Sequence, residues 1–148
     1  MINHLLPEVR LVYRPTLPFN ALPIVQSSED LYRALQRIWP DDIHYVERFY
    51  TMFLNADNRV LGYILIGLGS QTECTIEAKS IYQAAILTHS KGVAIAHNHP
   101  SGSLVPSDRD KLLTLKIREG LRIFDIRLLD HLILADNSYY SFSDRGQL

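Results

Sequence analysis

Residues 93–110 read VAIAHNHPSGSLVPSDRD: a short apolar run, two histidines, a loop rich in proline, serine and glycine, and an acidic helix start. The apolar run is typical of a buried strand, which we expect to continue into His97. Because residues two apart on a strand point the same way, His97 and His99 should face one point. Ser107 can cap a following helix, which would place Asp110 in its first turn, facing back toward the strand end.

Two imidazoles and one carboxylate at that point are sufficient to hold a divalent metal. On a tetrahedral Zn²⁺ they leave the fourth position open for water, which is the arrangement of catalytic rather than structural zinc. We therefore predict that His97, His99 and Asp110 bind zinc. A simpler interpretation remains open, in which Ser107 and Asp110 form only a capping pair and the carboxylate reaches back to the Ser107 amide.

The spacing of these residues resembles the signature of the JAMM (JAB1/MPN) metalloprotease family, since seven residues separate His99 from Ser107 and two separate Ser107 from Asp110. The RadC-type branch of bacterial JAMM domains is the most similar, over roughly residues 45–148, on HNHPSG at 97–102, LDH at 129–131 and YSF at 140–142. This resemblance implies that His97, His99 and Asp110 are the zinc ligands. It further implies that Ser107 helps to stabilise the oxyanion of a tetrahedral intermediate, and it gives His131 no role.

JAMM peptidases also use an upstream glutamate as general acid/base, and the resemblance places it roughly at residues 63–65, where this chain has Tyr-Ile-Leu. Glu47, on what should be the adjacent strand, and Glu73 and Glu77 downstream are the nearby carboxylates. Glu77 precedes a predicted helix, where the helix dipole favours a carboxylate for structural reasons. The sequence does not choose among the three. Without such a base, hydrolysis should be slow, because general acid/base catalysis typically contributes about 10²- to 10⁴-fold.

Hydrophobic patterning predicts a single mixed α/β domain over residues 27–148, preceded by an arm or edge strand within residues 1–26. The central sheet should be mixed and flanked by helices, which agrees with the JAB1/MPN-like fold that the resemblance implies. The predicted elements are a helix from Ser27 that Pro40 ends, a hairpin of strands His44–Leu54 and Val60–Leu68, a helix Ala78–Ser90 with Gly92 past its end, the histidine strand, a helix from Ser107 to Gly120, and strands Ile126–Ala135 and Tyr139–Phe142.

Length, charge and cysteine content limit the class of protein. A chain of 148 residues fits one domain. Its one cysteine, Cys74, excludes an intrachain disulfide and a cysteine-based zinc cluster. The chain starts without a signal-peptide pattern, and no stretch reaches the roughly 18 apolar residues of a membrane span, so we expect a cytoplasmic protein without membrane contact. A net charge of −1 gives no basic surface for nucleic acid.

Three functions are compatible with these features. The first is a zinc-dependent hydrolase that acts on a peptide or isopeptide bond in a peptide or protein substrate. The second is a non-catalytic metal-binding module that binds a partner protein. The third, a nucleic-acid enzyme, has little support. The letters HNH at 97–99 are consecutive, whereas the HNH nuclease motif takes its residues from separate elements, and the H-x-E and P-C-x-x-C patterns of zinc deaminases are absent.

Overall fold

The structure is a computed structural model that describes residues 7–69 and 76–148. Glu73 and Cys74 lie outside the described residues. After a short 3-10 helix at Phe19–Ala21, the described chain forms α1 (Ser28–Gln36), β1 (Glu47–Leu54), β2 (Val60–Gly69), α2 (Ala78–Leu87), β3 (Gly92–Asn98), α3 (Asp108–Arg122), β4 (Arg127–Ala135) and β5 (Ser138–Ser141).

The strands form one five-stranded sheet in the order β2-β1-β3-β4-β5. β3 and β4 run parallel, and the other neighbouring pairs are antiparallel, so the sheet is mixed. β3 is the central strand, and every residue of it from Gly92 to Asn98 is buried. A strand covered on both faces favours apolar side chains, which explains the run that precedes His97 and Asn98.

Helices cover both faces of the sheet. On one face, Leu31 and Leu35 of α1 pack against apolar side chains of the central strands. On the other face, Ile81 of α2 and Ile117 of α3 join a second apolar cluster with Ile95 of β3. The predicted fold class, a mixed central sheet flanked by helices, is confirmed.

The first strand starts later than its pattern predicted. We expected it from His44, but the Asp42 carbonyl accepts hydrogen bonds from the Tyr45 and Val46 amides at 2.9 and 3.2 Å, which closes a turn. β1 therefore begins at Glu47. This start leaves Glu47 at the edge of the sheet where β3 ends.

Gly92 has a different role from the predicted one. We expected it just past a helix ending at Ser90, but α2 ends at Leu87, and His89 takes the positive φ of 54° that follows the helix. Gly92 instead begins β3, where a Cβ atom would meet the Leu129 side chain at 2.5 Å. The close approach of β4 to β3 requires a glycine there.

Gly120 lies within α3, which continues to Arg122, and does not end the helix as predicted. A Cβ atom at this position would lie 2.1 Å from the Tyr82 hydroxyl oxygen. The same hydroxyl donates a hydrogen bond to the Lys116 carbonyl at 3.1 Å. The glycine therefore lets α2 pack closely on α3.

The outer edge of the sheet is more exposed than its sequence suggested. The apolar run at residues 60–68 is typical of a buried strand, but Tyr63, Ile64 and Leu65 are 54%, 40% and 39% exposed. β2 is an edge strand, so its middle extends beyond the helices. The segment Val9–Tyr13, predicted to be an arm or edge strand, forms no strand, and the Tyr13 hydroxyl donates to the Leu61 carbonyl.

The boundary predicted between residues 26 and 27 stays a prediction. Across residues 7–69 and 76–148, none of the helices has the length and apolar character needed to span a membrane.

Candidate metal centre

Three polar side chains meet where β3 ends and α3 begins. The Nε2 atoms of His97 and His99 lie 3.0 Å apart. The two carboxylate oxygens of Asp110 lie 3.2 Å from His97 Nε2 and 3.3 Å from His99 Nε2. The structure thus brings together the three residues predicted as ligands.

The sequence positions these side chains through two local features. His97 lies within β3, and His99 directly follows Asn98, the last residue of that strand, so the strand alternation directs both imidazoles to one side. α3 begins with a capping box, in which Ser107 Oγ accepts from the Asp110 amide at 3.0 Å and Asp110 Oδ2 accepts from the Ser107 amide at 2.8 Å. The capping pair is present, and the same carboxylate also reaches both imidazoles.

A fourth group, Glu47, joins this cluster from β1. β1 pairs with β3 so that Phe49 is opposite His97, and continuing this register puts Glu47 opposite His99. Single ligand atoms of Glu47, His97 and His99 all lie within 4.8 Å of one another. Of Glu47 and Glu77, the two of these carboxylates that lie within the described residues, Glu47 is the one that the structure brings to the site.

Residues 63–65, where the resemblance placed this glutamate, lie away from the cluster. In the β1–β2 pairing Ile64 is opposite Thr51, four residues along β1 from Glu47 and therefore about 13 Å away along the strand. Glu77 is the residue before α2, where it accepts a hydrogen bond from the Ser80 hydroxyl at 3.1 Å. Glu47 thus lies one strand earlier in the chain than the position that the resemblance suggested.

Burial and mutual contacts shift the acidity of these groups. Burial raises the pKa of the Glu47 carboxyl, an effect that the neighbouring histidines oppose. Burial also acts to raise the pKa of the Asp110 carboxyl, but hydrogen bonds with His97 and His99 and from the Ser107 amide hold it far below its ordinary value. The hydrogen bond with Asp110 raises the pKa of the His99 imidazole. Glu47 is therefore the better proton acceptor and Asp110 the permanent anion.

The hydrogen bond of His99 fixes which of its nitrogens is free. His99 Nδ1 lies 2.9 Å from the Ser103 carbonyl oxygen, which can only accept, so Nδ1 carries the hydrogen. In the neutral ring the Nε2 lone pair then points at His97 and Asp110. This is the tautomer that a metal ligand needs, with its second nitrogen held by a carbonyl.

Asn98 and His131 are two site residues to which sequence analysis gave no role. Asn98 is fully buried; its side-chain nitrogen donates to the Ile43 and Val46 carbonyls at 2.7 and 2.9 Å, and its oxygen accepts from the Arg48 amide at 2.8 Å. These bonds hold the segment that carries Glu47. A buried polar side chain within an apolar strand was the available signal, because such groups need partners.

The donor set fits a zinc ion. Ligand atoms bonded to one tetrahedral Zn²⁺ at about 2.0–2.1 Å lie about 3.3 Å from each other. The separations among His97, His99 and Asp110 are 3.0, 3.2 and 3.3 Å. Two imidazoles and a carboxylate are also ordinary ligands of catalytic zinc. These residues could hold the ion with one position left open.

Comparisons with known proteins agree with this geometry. The family described as RadC-like JAB domain matches residues 25–147. A UPF0758 protein of Flavobacterium johnsoniae is 34% identical over 122 residues, which are 82% of this chain and 52% of that protein. A UPF0758 protein of Chlorobaculum parvum is 32% identical over 124 residues, 84% of this chain and 55% of that protein. The UPF0758 protein of Fusobacterium nucleatum is 35% identical over 101 residues, 68% of this chain and 44% of that protein.

The chain belongs to the RadC-like JAB domain family, which confirms the resemblance drawn from residues 97–142. It spans about half the length of the curated relatives it matches.

We predict that the protein binds about one zinc ion per chain and that the double variant His97→Ala/His99→Ala loses it, because two of three ligands are removed. Metal content after gel filtration measures this. The double variant His44→Ala/His89→Ala is the matched control, since both of these histidines lie outside the cluster. Undiminished zinc in the first variant would contradict the assignment. Binding should tighten as pH rises, because protons compete for the imidazole nitrogens.

Proposed function

We propose that this chain is a zinc-dependent metallohydrolase of the JAMM type that acts on peptide or isopeptide bonds in a peptide or protein substrate. The observation that carries the proposal is the position of Glu47, next to an open three-ligand set made by His97, His99 and Asp110. Ligands alone would suit a structural metal. A half-buried carboxylate beside them adds the proton acceptor that hydrolysis needs.

Zinc, when bound, supplies Lewis acidity toward the substrate carbonyl and lowers the pKa of water. His97, His99 and Asp110 would hold the ion. Glu47 takes the proton from the attacking water at its carboxylate and delivers it to the nitrogen of the leaving amine. The raised pKa of Glu47 suits its role as the base, because a carboxylate of higher pKa is the better proton acceptor and its pKa lies nearer to the working pH.

Ser107 is the proposed oxyanion donor. Its Oγ accepts from the Asp110 amide, so the hydroxyl can use its hydrogen to donate to a substrate oxygen. It is exposed at the start of α3, within reach of solvent and of an entering substrate. The N-terminus of a helix also favours negative charge, so the start of α3 would stabilise the same oxyanion.

The alternative, a non-catalytic module that binds a partner protein, was favoured by the apparent absence of a base. Glu47 removes that reason. The two functions differ in one measurable respect, since a binding module would retain its metal without turnover.

We predict that Glu47→Gln retains zinc but lowers the rate of hydrolysis by about 10²- to 10⁴-fold, because the amide keeps the shape of the side chain and cannot accept the proton. The rate is measured with the zinc-loaded protein on a library of peptides and of lysine isopeptides. Glu77→Gln is the matched control and should keep the full rate, since Glu77 contacts Ser80 at the start of α2.

Two results would contradict this proposal. An unchanged rate in Glu47→Gln would exclude Glu47 as the base. A wild-type protein that is fully loaded with zinc and cleaves none of the substrates would favour the binding module.

We predict that Ser107→Ala lowers the rate by about 10²- to 10³-fold, as loss of one oxyanion donor does. The change also removes a helix cap and should cost about 1 kcal/mol of stability. Ser27→Ala is the matched control, because Ser27 Oγ accepts from the Asp30 amide at 3.1 Å and caps α1 in the same manner. Urea unfolding should show similar losses for both variants, whereas only Ser107→Ala loses activity. Equal rates in the two variants would show that Ser107 acts only as a helix cap.

A further inference from the structure

A chain of hydrogen bonds behind the metal centre connects two of the proposed ligands through residues that the hydrolytic mechanism does not use. His97 Nδ1 lies 2.8 Å from His131 Nε2. His131 Nδ1 lies 2.6 Å from Thr114 Oγ1. Thr114 Oγ1 in turn donates to the backbone carbonyl of Asp110 at 2.6 Å. This chain of hydrogen bonds runs from His97 on β3, through His131 on β4, to α3, which carries both Thr114 and Asp110.

The position of each hydrogen in this chain follows from its two ends. The Asp110 carbonyl can only accept, so the single hydroxyl hydrogen of Thr114 points to it. Thr114 Oγ1 then accepts from His131, which places a hydrogen on His131 Nδ1. In a neutral ring, His131 Nε2 is left as an acceptor, so His97 Nδ1 donates to it. A neutral His97 that binds a metal would therefore use Nε2, which lies on the side of His99 and Asp110.

His131 is well placed to hold this arrangement. It is fully buried, and burial favours the neutral imidazole by lowering its pKa. Its ring stacks on Phe142 with centroids 4.7 Å apart and planes 10° apart. Its backbone amide donates to Asp130 Oδ1 at 2.7 Å. Packing and backbone contacts thus oppose a flip of the ring.

We propose that Thr114 and His131 are positioning residues that hold His97 in the tautomer able to bind metal through Nε2. This inference rests on the proposed metal centre. Thr114 acts through its hydroxyl group, because the hydroxyl accepts the hydrogen of His131 Nδ1. Without that acceptor, a hydrogen on His131 Nδ1 would have no partner. The tautomer with the hydrogen on Nε2, which can donate to His97 Nδ1, would then be the more stable one. His97 would then carry its hydrogen on Nε2, the atom that faces the metal.

Two substitutions of Thr114 separate this role from simple packing. Thr114→Val keeps the branched shape and loses the hydroxyl, whereas Thr114→Ser keeps the hydroxyl and loses the methyl group. Thr114 is 2% exposed, so a packing role would make the serine variant the more damaged one. A tautomer role predicts the opposite order.

The first measurement is zinc affinity by competition with a chromophoric chelator. We expect Thr114→Val to bind zinc about 10- to 100-fold more weakly than the wild type, the usual effect of losing a group that orients a metal ligand. Thr114→Ser should bind close to the wild-type value. Equal weakening in both variants, or a greater loss in Thr114→Ser, would overturn the proposal.

The second measurement is the ¹⁵N chemical shift of the histidine rings in the metal-free protein, which distinguishes the two tautomers. We expect His131 to carry its hydrogen on Nδ1 in the wild type and in Thr114→Ser, and to shift toward the Nε2–H tautomer in Thr114→Val. A hydrogen on His131 Nε2 in the wild type would overturn the proposal even if Thr114→Val does not fold. Because neither readout needs turnover, absence of hydrolysis would count against the proposed function alone.

Discussion

The antiparallel register between β1 and β3 is the constraint on which the candidate site depends. It sets Phe49 opposite His97 and so brings the first residue of β1, Glu47, next to the histidines that end β3. β3 is buried along its whole length, and a shift of this pairing by one residue would reverse the face on which each side chain of β1 lies. The apolar core that fixes the register therefore also fixes the distance between Glu47 and the two histidines.

The start of α3 shows how one set of bonds serves both folding and the site. The capping box between Ser107 and Asp110 satisfies free backbone groups at the helix end, as α1 does with Ser27 and Asp30. At α3 the Asp110 carboxylate makes further contacts, since its two oxygens also lie close to the Nε2 atoms of His97 and His99. Removing Asp110 would leave the two imidazoles without their anion and the Ser107 amide without its hydrogen-bond partner. Helix stability and the geometry of the cluster are therefore coupled at this residue.

The sequence was sufficient where the determinants are local. Strand alternation predicted that His97 and His99 face one point, and the helix cap predicted where Asp110 lies. Glu47 could not be chosen, because its place depends on the pairing of two strands separated by a hairpin and a helix, and the resemblance directed attention to β2 instead. The roles of Asn98 and His131 were likewise missed, since their partners come from other elements; a polar residue inside each apolar strand was the only local signal.

Two glycines show the same limit of prediction from local sequence. Gly92 and Gly120 look like ordinary helix ends in the sequence, yet each is a point of close packing against Leu129 or Tyr82. Such contacts exist only once the elements have assembled. Local pattern thus gave the order and class of the elements, whereas the contacts between elements decided their ends and the fourth group of the site.

The central claim is that three residues bind zinc and that Glu47 remains free to move a proton. A crystal structure of the zinc-loaded protein, with anomalous diffraction at the zinc absorption edge, tests it most directly. We predict bonds of about 2.0–2.2 Å to His97 Nε2, His99 Nε2 and one Asp110 oxygen, with Glu47 one hydrogen bond away from the fourth ligand. A direct bond from Glu47 to zinc would close the site with four protein ligands, as in structural zinc sites, and would contradict the account.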